Sequence, residues 1–271
     1  MDVLKRNNVQ VRGKGQIPML FAHGYGCDQN MWRFITPAFE EDYKIVLFDH
    51  VGFGNSDISG YTPKKYGSLQ AYADDIIEIC ETLNLKDVIF VGHSVSAMIG
   101  VLAAIKKPKL FQKLILVGPS PRYINEIGYT GGFSREDING LLESLDSNYL
   151  AWAAAIAPVI MGHADKPELS EELAASFCRS HPEFAKNFAY LTFLSDNRED
   201  LKKLRTKSLI LQCKEDVIAP MEVGEYLKAN IADSEMVVLE ATGHCPNLSA
   251  PKETIKAIQD FLHAETVGKN A

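Results

Sequence analysis

Ser94, Asp216 and His244 are the residues of this chain whose types and order suit acyl transfer. A serine hydroxyl is a weak nucleophile until a base takes its proton. The base in turn needs an acid that orients it and stabilises its charged form. Ser94 lies in VIFVGHSVSAMIG (88–100), which reads as a strand, a sharp turn and a helix. The G-x-S-x-G nucleophile elbow needs that context: the serine sits in a strained turn at the carboxyl end of a strand, its hydroxyl exposed. Small flanking residues let strand and helix pack closely around it. Here the pattern is Gly92-His93-Ser94-Val95-Ser96, with serine in place of the second glycine. Ser96 is the rival nucleophile, but it lies too late in the turn and is expected to face the neighbouring packing. The helix after the elbow offers its first N–H groups to developing negative charge. The bland alternative is a buried strand-turn-helix with an ordinary serine, and the surrounding pattern argues against it.

Seven histidines are available as the base. His244 stands in EATGHCPNLS, in a turn directly after the last strand, where the order Ser, acid, His places it. His93 adjoins the nucleophile and is expected to line the pocket. His23 precedes a glycine turn and reads as structural. His50, His163, His181 and His263 read as surface residues. Between Ser94 and His244, the segment QCKEDVIAP (212–220) follows a strand and precedes a helix. Asp216 occupies the acid's place there, and Glu215 is the backup. An aspartate in a loop is most often a cap or turn residue. The coincidence of three correctly ordered strand-end residues raises the catalytic reading above that.

The elements that must position these groups alternate. MLFAH (19–23), KIVLFDH (44–50), VIFVG (88–92) and KLILVG (113–118) read as buried strands. Asp28 is placed to cap a helix running to about Phe39. Leu69, Tyr72, Ala73, Ile76, Ile77, Cys80 and Leu83 recur at helical spacing, and 95–106 is a second helix. Apolar strands separated by helices imply a parallel sheet covered on both faces. From Pro119 to about Asp200 only helices are predicted, at 134–145, 148–160, 167–179 and 182–194. Strands return at SLILQC (208–213) and MVVLEA (236–241), with helices from Pro220 and over 252–263. The expectation is an α/β core, 1–118 and 201–271, interrupted by a helical lid, 119–200.

With 271 residues, 46% hydrophobic and 23% charged, the chain suits a globular protein with a sizeable core. A net charge of −7 without a dense Lys/Arg run argues against nucleic acid and anionic membrane as partners. No signal-peptide pattern and no membrane-length apolar run is present. The five cysteines are odd in number and far apart, which suggests neither disulfides nor zinc. A reduced, cytoplasmic protein is expected, with no cofactor and no metal. The oligomeric state stays open, with a monomer favoured.

HGYGCDQNMW (23–32), VGHSVSAMIG (91–100), SPRYINE (120–126), GGF (131–133), SDNREDL (195–201) and the region from ILQCKED to GHCPNLS resemble one group of small α/β-hydrolases. That group includes the bacterial stress-response regulator RsbQ and the plant strigolactone and karrikin receptors. The plant receptors share the serine of GHSVSAM, and CDQNMW, GPSPRYIN and SDNREDL lean toward the bacterial side. The resemblance implies the α/β-hydrolase fold, the triad Ser94, Asp216 and His244, and an oxyanion hole from the N–H groups of Tyr25 and Val95. It also implies a four-helix lid over an apolar pocket, lined by Tyr25, His93, Tyr123, Phe133, Trp152, Ile156, Phe193 and Ile218. Several members carry phenylalanine where Ile156 stands, and each lid aromatic has a plain packing role as its alternative.

Two functions follow as expectations. One is hydrolysis of a small, largely apolar ester or lactone. The other is ligand sensing that acts on a PAS-domain phosphatase in a stress response, with hydrolysis slow or secondary. Dehalogenases and epoxide hydrolases need an aspartate at the elbow, so Ser94 excludes them. Cofactor-free haloperoxidases keep the same triad and stay open.

Overall fold

The computed structural model describes residues 2–264. Seven strands form one sheet: β1 (Gln10–Arg12), β2 (Ile17–Ala22), β3 (Tyr43–Leu47), β4 (Val88–His93), β5 (Phe111–Val117), β6 (Lys207–Glu215) and β7 (Ser234–Thr242). Their order is β1-β3-β2-β4-β5-β6-β7. Only the β1–β3 pair is antiparallel; the other five pairs are parallel. This is the parallel sheet read from the alternating strands and helices, and the chain has the α/β-hydrolase fold that the resemblance implies. Every residue of β4 is buried, so the run needs no polar face and reads as continuously apolar up to the elbow.

The helices are α1 (Val3–Arg6), α2 (Leu69–Thr82), α3 (Val95–Lys106), α4 (Arg135–Ser147), α5 (Tyr149–Met161), α6 (Pro167–Arg179), α7 (Pro182–Phe193), α8 (Arg198–Leu201), α9 (Met221–Asn230), α10 (Pro246–Ser249) and α11 (Pro251–His263). The helical spacing read along α2 is its buried face: Leu69, Tyr72, Ala73, Ile76, Ile77 and Cys80 lie inside. α4 to α7 fall between β5 and β6 in the chain. Ser134 caps α4 in a capping box with Asp137, and the left-handed Gly162 ends α5.

One expectation of local structure needs correction. The segment after Asp28 is not one helix to Phe39 but two short 3-10 turns, Gln29–Trp32 and Thr36–Ala38. Asp28 does cap the first, accepting from the Asn30 N–H. Pro37 has no N–H to continue a helix and disfavours helical backbone at Thr36. Trp32, Ile35 and Phe39 still bury fully, so their spacing reflects core contact and not a continuous helix. β1 has no apolar run to announce it. It is three residues long, and it is defined by its pairing with β3.

The two ends of the α4–α7 segment are tied together where they leave the sheet, by the Asn197 N–H bonded to the Pro121 carbonyl at 2.8 Å. The end of α5 is docked on the loop after β7. The His244 N–H donates to the Ile160 carbonyl at 2.8 Å. Gly243 has φ +83°, and a Cβ there would fall 1.9 Å from the Met161 carbonyl oxygen. Gly243→Ala is therefore expected to cost about 1–3 kcal/mol. A fall of several degrees in the thermal midpoint checks it; an unchanged midpoint refutes the close approach.

Candidate active site

Ser94 sits between β4 and α3 with φ +56° and ψ −124°, a backbone conformation that non-glycine residues rarely adopt. It is the strained turn that an elbow requires. His244 lies in the loop after β7 and Asp216 directly after β6, so both come from carboxyl ends of parallel strands. The three meet although Ser94 and His244 are 150 residues apart in the chain. Ser94 Oγ is 2.8 Å from His244 Nε2, and His244 Nδ1 is 2.7 Å from Asp216 Oδ2. Asp216 Oδ1 accepts from the N–H groups of Ile218 and Ala219 at 2.8 and 3.1 Å. With Nδ1–H donated to the carboxylate, Nε2 is left as the acceptor for the serine proton. Glu215 is exposed, and among the described residues its side chain accepts only from Thr242, at 3.4 Å.

Ser96, the rival, is also paired with a histidine: its Oγ is 2.8 Å from His50 Nε2. That pair is no nucleophile. Ser96 is fully buried and gives its proton to the His23 carbonyl at 2.5 Å. His50 Nδ1 has no partner among the described residues, so no acid completes a triad. His50 is buried, which corrects its reading as a surface residue. It follows β3 and packs edge-on to Phe48 and Tyr72, so its burial comes from distant chain segments. His181 and His263 are exposed, while His163 is partly covered and bonds the Thr242 carbonyl at 3.1 Å.

Val95 follows Ser94 in the chain, and Tyr25 borders the same cavity. Val95 is the first residue of α3, and its N–H has no intrahelical acceptor. Among the described residues neither the Tyr25 nor the Val95 N–H donates a hydrogen bond. The loop before Tyr25 presses onto the elbow: a Cβ on Gly24 would fall 2.4 Å from His93 Nδ1 and 3.4 Å from Ser94 Cβ. Only glycine allows that approach.

A narrow cavity of about 30 Å3 lies against Ser94. Of the residues expected to line it, Tyr25, His93, Tyr123, Ile156, Phe193 and Ile218 do so. Phe133 and Trp152 do not. Phe133 is held beside Tyr123 by a backbone bridge, its N–H bonded to the Tyr123 carbonyl at 3.1 Å. Trp152 stacks on Phe177 at 5.7 Å and meets Tyr25 edge-on at 5.9 Å, so it backs the wall they form. Sequence reasoning missed Leu173 and Phe177, which α6 presents one helical turn apart, and Leu141, Ile160 and Thr192 on the neighbouring helices. It also missed Cys27 and Cys245, the latter adjacent to the base. The i, i+4 apolar pair on α6 was the available signal.

The cavity is apolar apart from a few groups. Tyr123 is buried with its hydroxyl near Ser94, and burial pushes its phenol up to about 12. His93 donates from Nε2 to the His244 carbonyl at 2.8 Å and so steadies the base's backbone. Burial, with His244 beside it, lowers its pKa to about 3. Burial also forces Cys27 up to about 12, so that thiol stays protonated.

Residues 19–257 match the family model described as the alpha/beta hydrolase family. The chain belongs to that family. Among curated relatives, it is 37% identical to karrikin insensitive 2 receptor CA of Petunia hybrida, over 96% of this chain and 97% of the relative. It is also 37% identical to strigolactone esterase D14 of Arabidopsis thaliana, over 96% and 98%. Among solved structures, a hydrolase from Oleispira antarctica superposes with a TM-score of 0.94 at 40% identity, over 97% of this chain and 96% of that one. Family, fold and hydrogen-bonded triad make the chain a carboxylic-ester hydrolase of the Ser-His-Asp type. Among the described residues, no helix is long and apolar enough to cross a membrane.

Two predictions follow from the electrostatics. Asp216→Asn is expected to lower kcat by on the order of 10⁴, because the imidazolium loses its partner and its tautomer is no longer held. Glu215→Gln is expected to change it less than twofold, and the reverse ranking in ester assays overturns the assignment. The second concerns acid. Burial lowers the pKa of His23, His50 and His93 in the folded protein, whereas in the unfolded chain they titrate near 6.5. Above that pH both states are neutral at these sites. Below it the unfolded state takes up protons that the folded state refuses, so stability falls as pH falls. Each such histidine contributes up to about 1.4 kcal/mol per pH unit. The thermal midpoint should drop steeply between about pH 6.5 and pH 5; a flat profile there means these histidines charge in place.

Proposed function

We propose that the protein hydrolyses a small, largely apolar ester or lactone through an acyl-Ser94 intermediate. The observation that carries this reading is the unbroken row Ser94–His244–Asp216 facing a narrow apolar cavity under four helices. Ser94 Oγ attacks the carbonyl carbon while His244 Nε2 takes its proton. The Tyr25 and Val95 N–H groups receive the oxyanion. As the tetrahedral intermediate collapses, the imidazolium returns the proton to the leaving alkoxide. In a lactone that alcohol stays tethered to the acyl group. A water, deprotonated by His244, then attacks the acyl-serine and frees Ser94. Asp216 holds the imidazolium through both halves.

The cavity offers only about 30 Å3 as it stands, so larger substrates need the capping helices to part. Leu141, Ile156, Leu173 and Phe193 offer contact to an apolar acyl group and no hydrogen bond. The name of the Arabidopsis relative, a strigolactone esterase, supports the lactone class. The petunia relative is named a receptor, which favours a second reading. On it, ligand occupancy is the output, hydrolysis is slow, and a PAS-domain phosphatase is the partner. Pre-steady-state turnover of a nitrophenyl ester separates the two: rapid steady turnover favours the enzyme, a burst followed by near-arrest the sensor. Both readings place the protein in a reducing cytoplasm, in keeping with its five free thiols.

Ser94→Ala is expected to abolish ester hydrolysis and fluorophosphonate labelling; labelling that survives in Ser94→Ala and disappears in Ser96→Ala overturns the nucleophile. Phe193→Ala should shift the preferred acyl length, because Phe193 borders the cavity. Trp152→Ala should instead lower the thermal midpoint, because Trp152 packs behind the wall. Acyl-chain profiles measured on the two variants test this contrast, and equal, unselective losses in both count against the lining.

A further inference from the structure

Beneath the elbow lies a polar cluster that takes no part in proton transfer to substrate. His23, His50 and Ser96 are each fully buried. The proton positions in the cluster follow from groups whose roles are fixed. The His50 backbone N–H donates to His23 Nε2 at 3.0 Å. Nε2 of His23 is therefore unprotonated, and its Nδ1 carries the proton, donated to the Gly24 carbonyl at 2.8 Å. Ser96 has one proton, and the His23 carbonyl, 2.5 Å away, can only accept it. His50 Nε2, 2.8 Å from Ser96 Oγ, must then be the donor to that oxygen. The sequence of donors runs from His50 to Ser96 to the His23 carbonyl, and from the His23 ring to the Gly24 carbonyl.

The Gly24 carbonyl and the Tyr25 N–H belong to one peptide unit. That unit is planar and trans, so the direction of its C=O fixes the direction of its N–H. A hydrogen bond to the carbonyl at one end therefore aims the donor at the other. Among the described residues the other bond to the Gly24 carbonyl is the Cys27 N–H at 3.3 Å; the Tyr25 hydroxyl on the Ala185 carbonyl and Ser176 on the Gly26 carbonyl hold the loop elsewhere and do not act on this peptide's C=O. Where the elbow pattern has glycine at the Ser96 position, no hydroxyl is available for this task.

We propose that Ser96, His50 and His23 are positioning residues that aim the Tyr25 N–H at the oxyanion. The proposal rests on the reading of Tyr25 as an oxyanion donor. None of the three touches substrate. Burial keeps both rings neutral, so the donor directions persist across the working pH range.

The test uses Ser96→Ala, His50→Leu and His50→Gln, with a nitrophenyl ester as substrate and an alkylboronic acid as inhibitor. The boronate forms a tetrahedral adduct on Ser94 and places an anionic oxygen in the oxyanion site. Ser96→Ala and His50→Leu are expected to lower kcat by on the order of 10-fold to 100-fold, less than the loss of a whole oxyanion donor. KM should stay within about twofold, boronate affinity should fall in step with kcat, and the pH profile set by His244 should not move. His50→Gln keeps an N–H donor for Ser96 and should recover most of the activity. A lowered thermal midpoint with kcat and boronate affinity intact shows a purely structural cluster and overturns the proposal. A crystal structure of the unsubstituted enzyme's boronate adduct separates this from failure of the underlying reading. An adduct oxygen away from the Tyr25 N–H removes Tyr25 as a donor, and the proposal goes with it. An oxygen on that N–H, with boronate affinity unchanged in Ser96→Ala, removes only the positioning role.

Discussion

The bond between His244 Nδ1 and Asp216 Oδ2 is the interaction on which the rest of the site depends. The Asp216 side chain is wholly removed from water. A buried carboxylate is costly unless both of its oxygens find donors. Three N–H groups meet that need, one from His244 and two from the turn at Ile218 and Ala219. The turn is possible because β6 ends at Glu215, leaving its next residue free to fold back over its own carboxylate. Such a charge forces the imidazole into one tautomer and one orientation. The parallel sheet brings β4, β6 and β7 to the same edge, and this is how residues far apart in the chain assemble without strain except at Ser94.

The site has two faces of opposite character, and each follows from what it must do. Above Ser94 the walls are apolar, so an incoming carbonyl meets few competing hydrogen bonds and little water. Below Ser94 the packing is polar: His23, His50 and Ser96 exchange hydrogen bonds with backbone groups of the two loops that meet there. In a low dielectric such bonds are directional and costly to break. Gly24 lets the upper loop sit down on this platform. His93 bridges the two faces, its ring in contact distance of Gly24 and its Nε2 bonded to the carbonyl of His244.

The legible parts of the sequence were those whose signal is local. Ser94 announces itself by an apolar strand, a small-residue turn and an apolar helix within thirteen residues, 88–100. Asp216 and His244 follow from chain order once strands are recognised on their amino-terminal sides. The strands of the parallel core were readable because burial on both faces makes them continuously apolar. What was not legible depends on contacts between distant segments. His50 sits in a short loop of mixed character, and nothing adjacent tells that Tyr72 from α2 and Phe188 from α7 will close over it. Trp152 and Phe177 are both aromatic residues on helices between β5 and β6. Which of them faces the cavity is decided by the stacking of one on the other, not by either helix alone. The 3-10 turns after Asp28 preserve a helical burial pattern while Pro37 denies the helix, a case of local backbone chemistry prevailing over periodicity.

The helices between β5 and β6 are joined to the loop that carries the base by more than apolar contact. A cap that only covered the cavity would need apolar contact alone, and such contact is non-directional. Here the end of α5 makes directional bonds to the loop that carries the base. The Ile160 carbonyl accepts from the His244 backbone, His163 bonds the Thr242 carbonyl, and Gly162 packs on Gly243. Ile160 also borders the cavity, with Ile156 one turn earlier on the same helix. A group that pushes on that wall thus pushes on the element whose end holds the base's backbone. The imidazole itself is held from the other side by Asp216 and by His93 at its carbonyl. Parting the cap by a rigid movement of α5 would strain these bonds, whereas movement of α6 or α7 would leave them intact. α6 supplies Leu173 and Phe177 to the opposite wall without touching the His244 loop by any hydrogen bond among the described residues. α6 and α7 are bonded instead to the Gly24–Gly26 turn, through Ser176 to the Gly26 carbonyl and through the Tyr25 hydroxyl to the Ala185 carbonyl, so the two sides of the cavity are tied to different loops of the site.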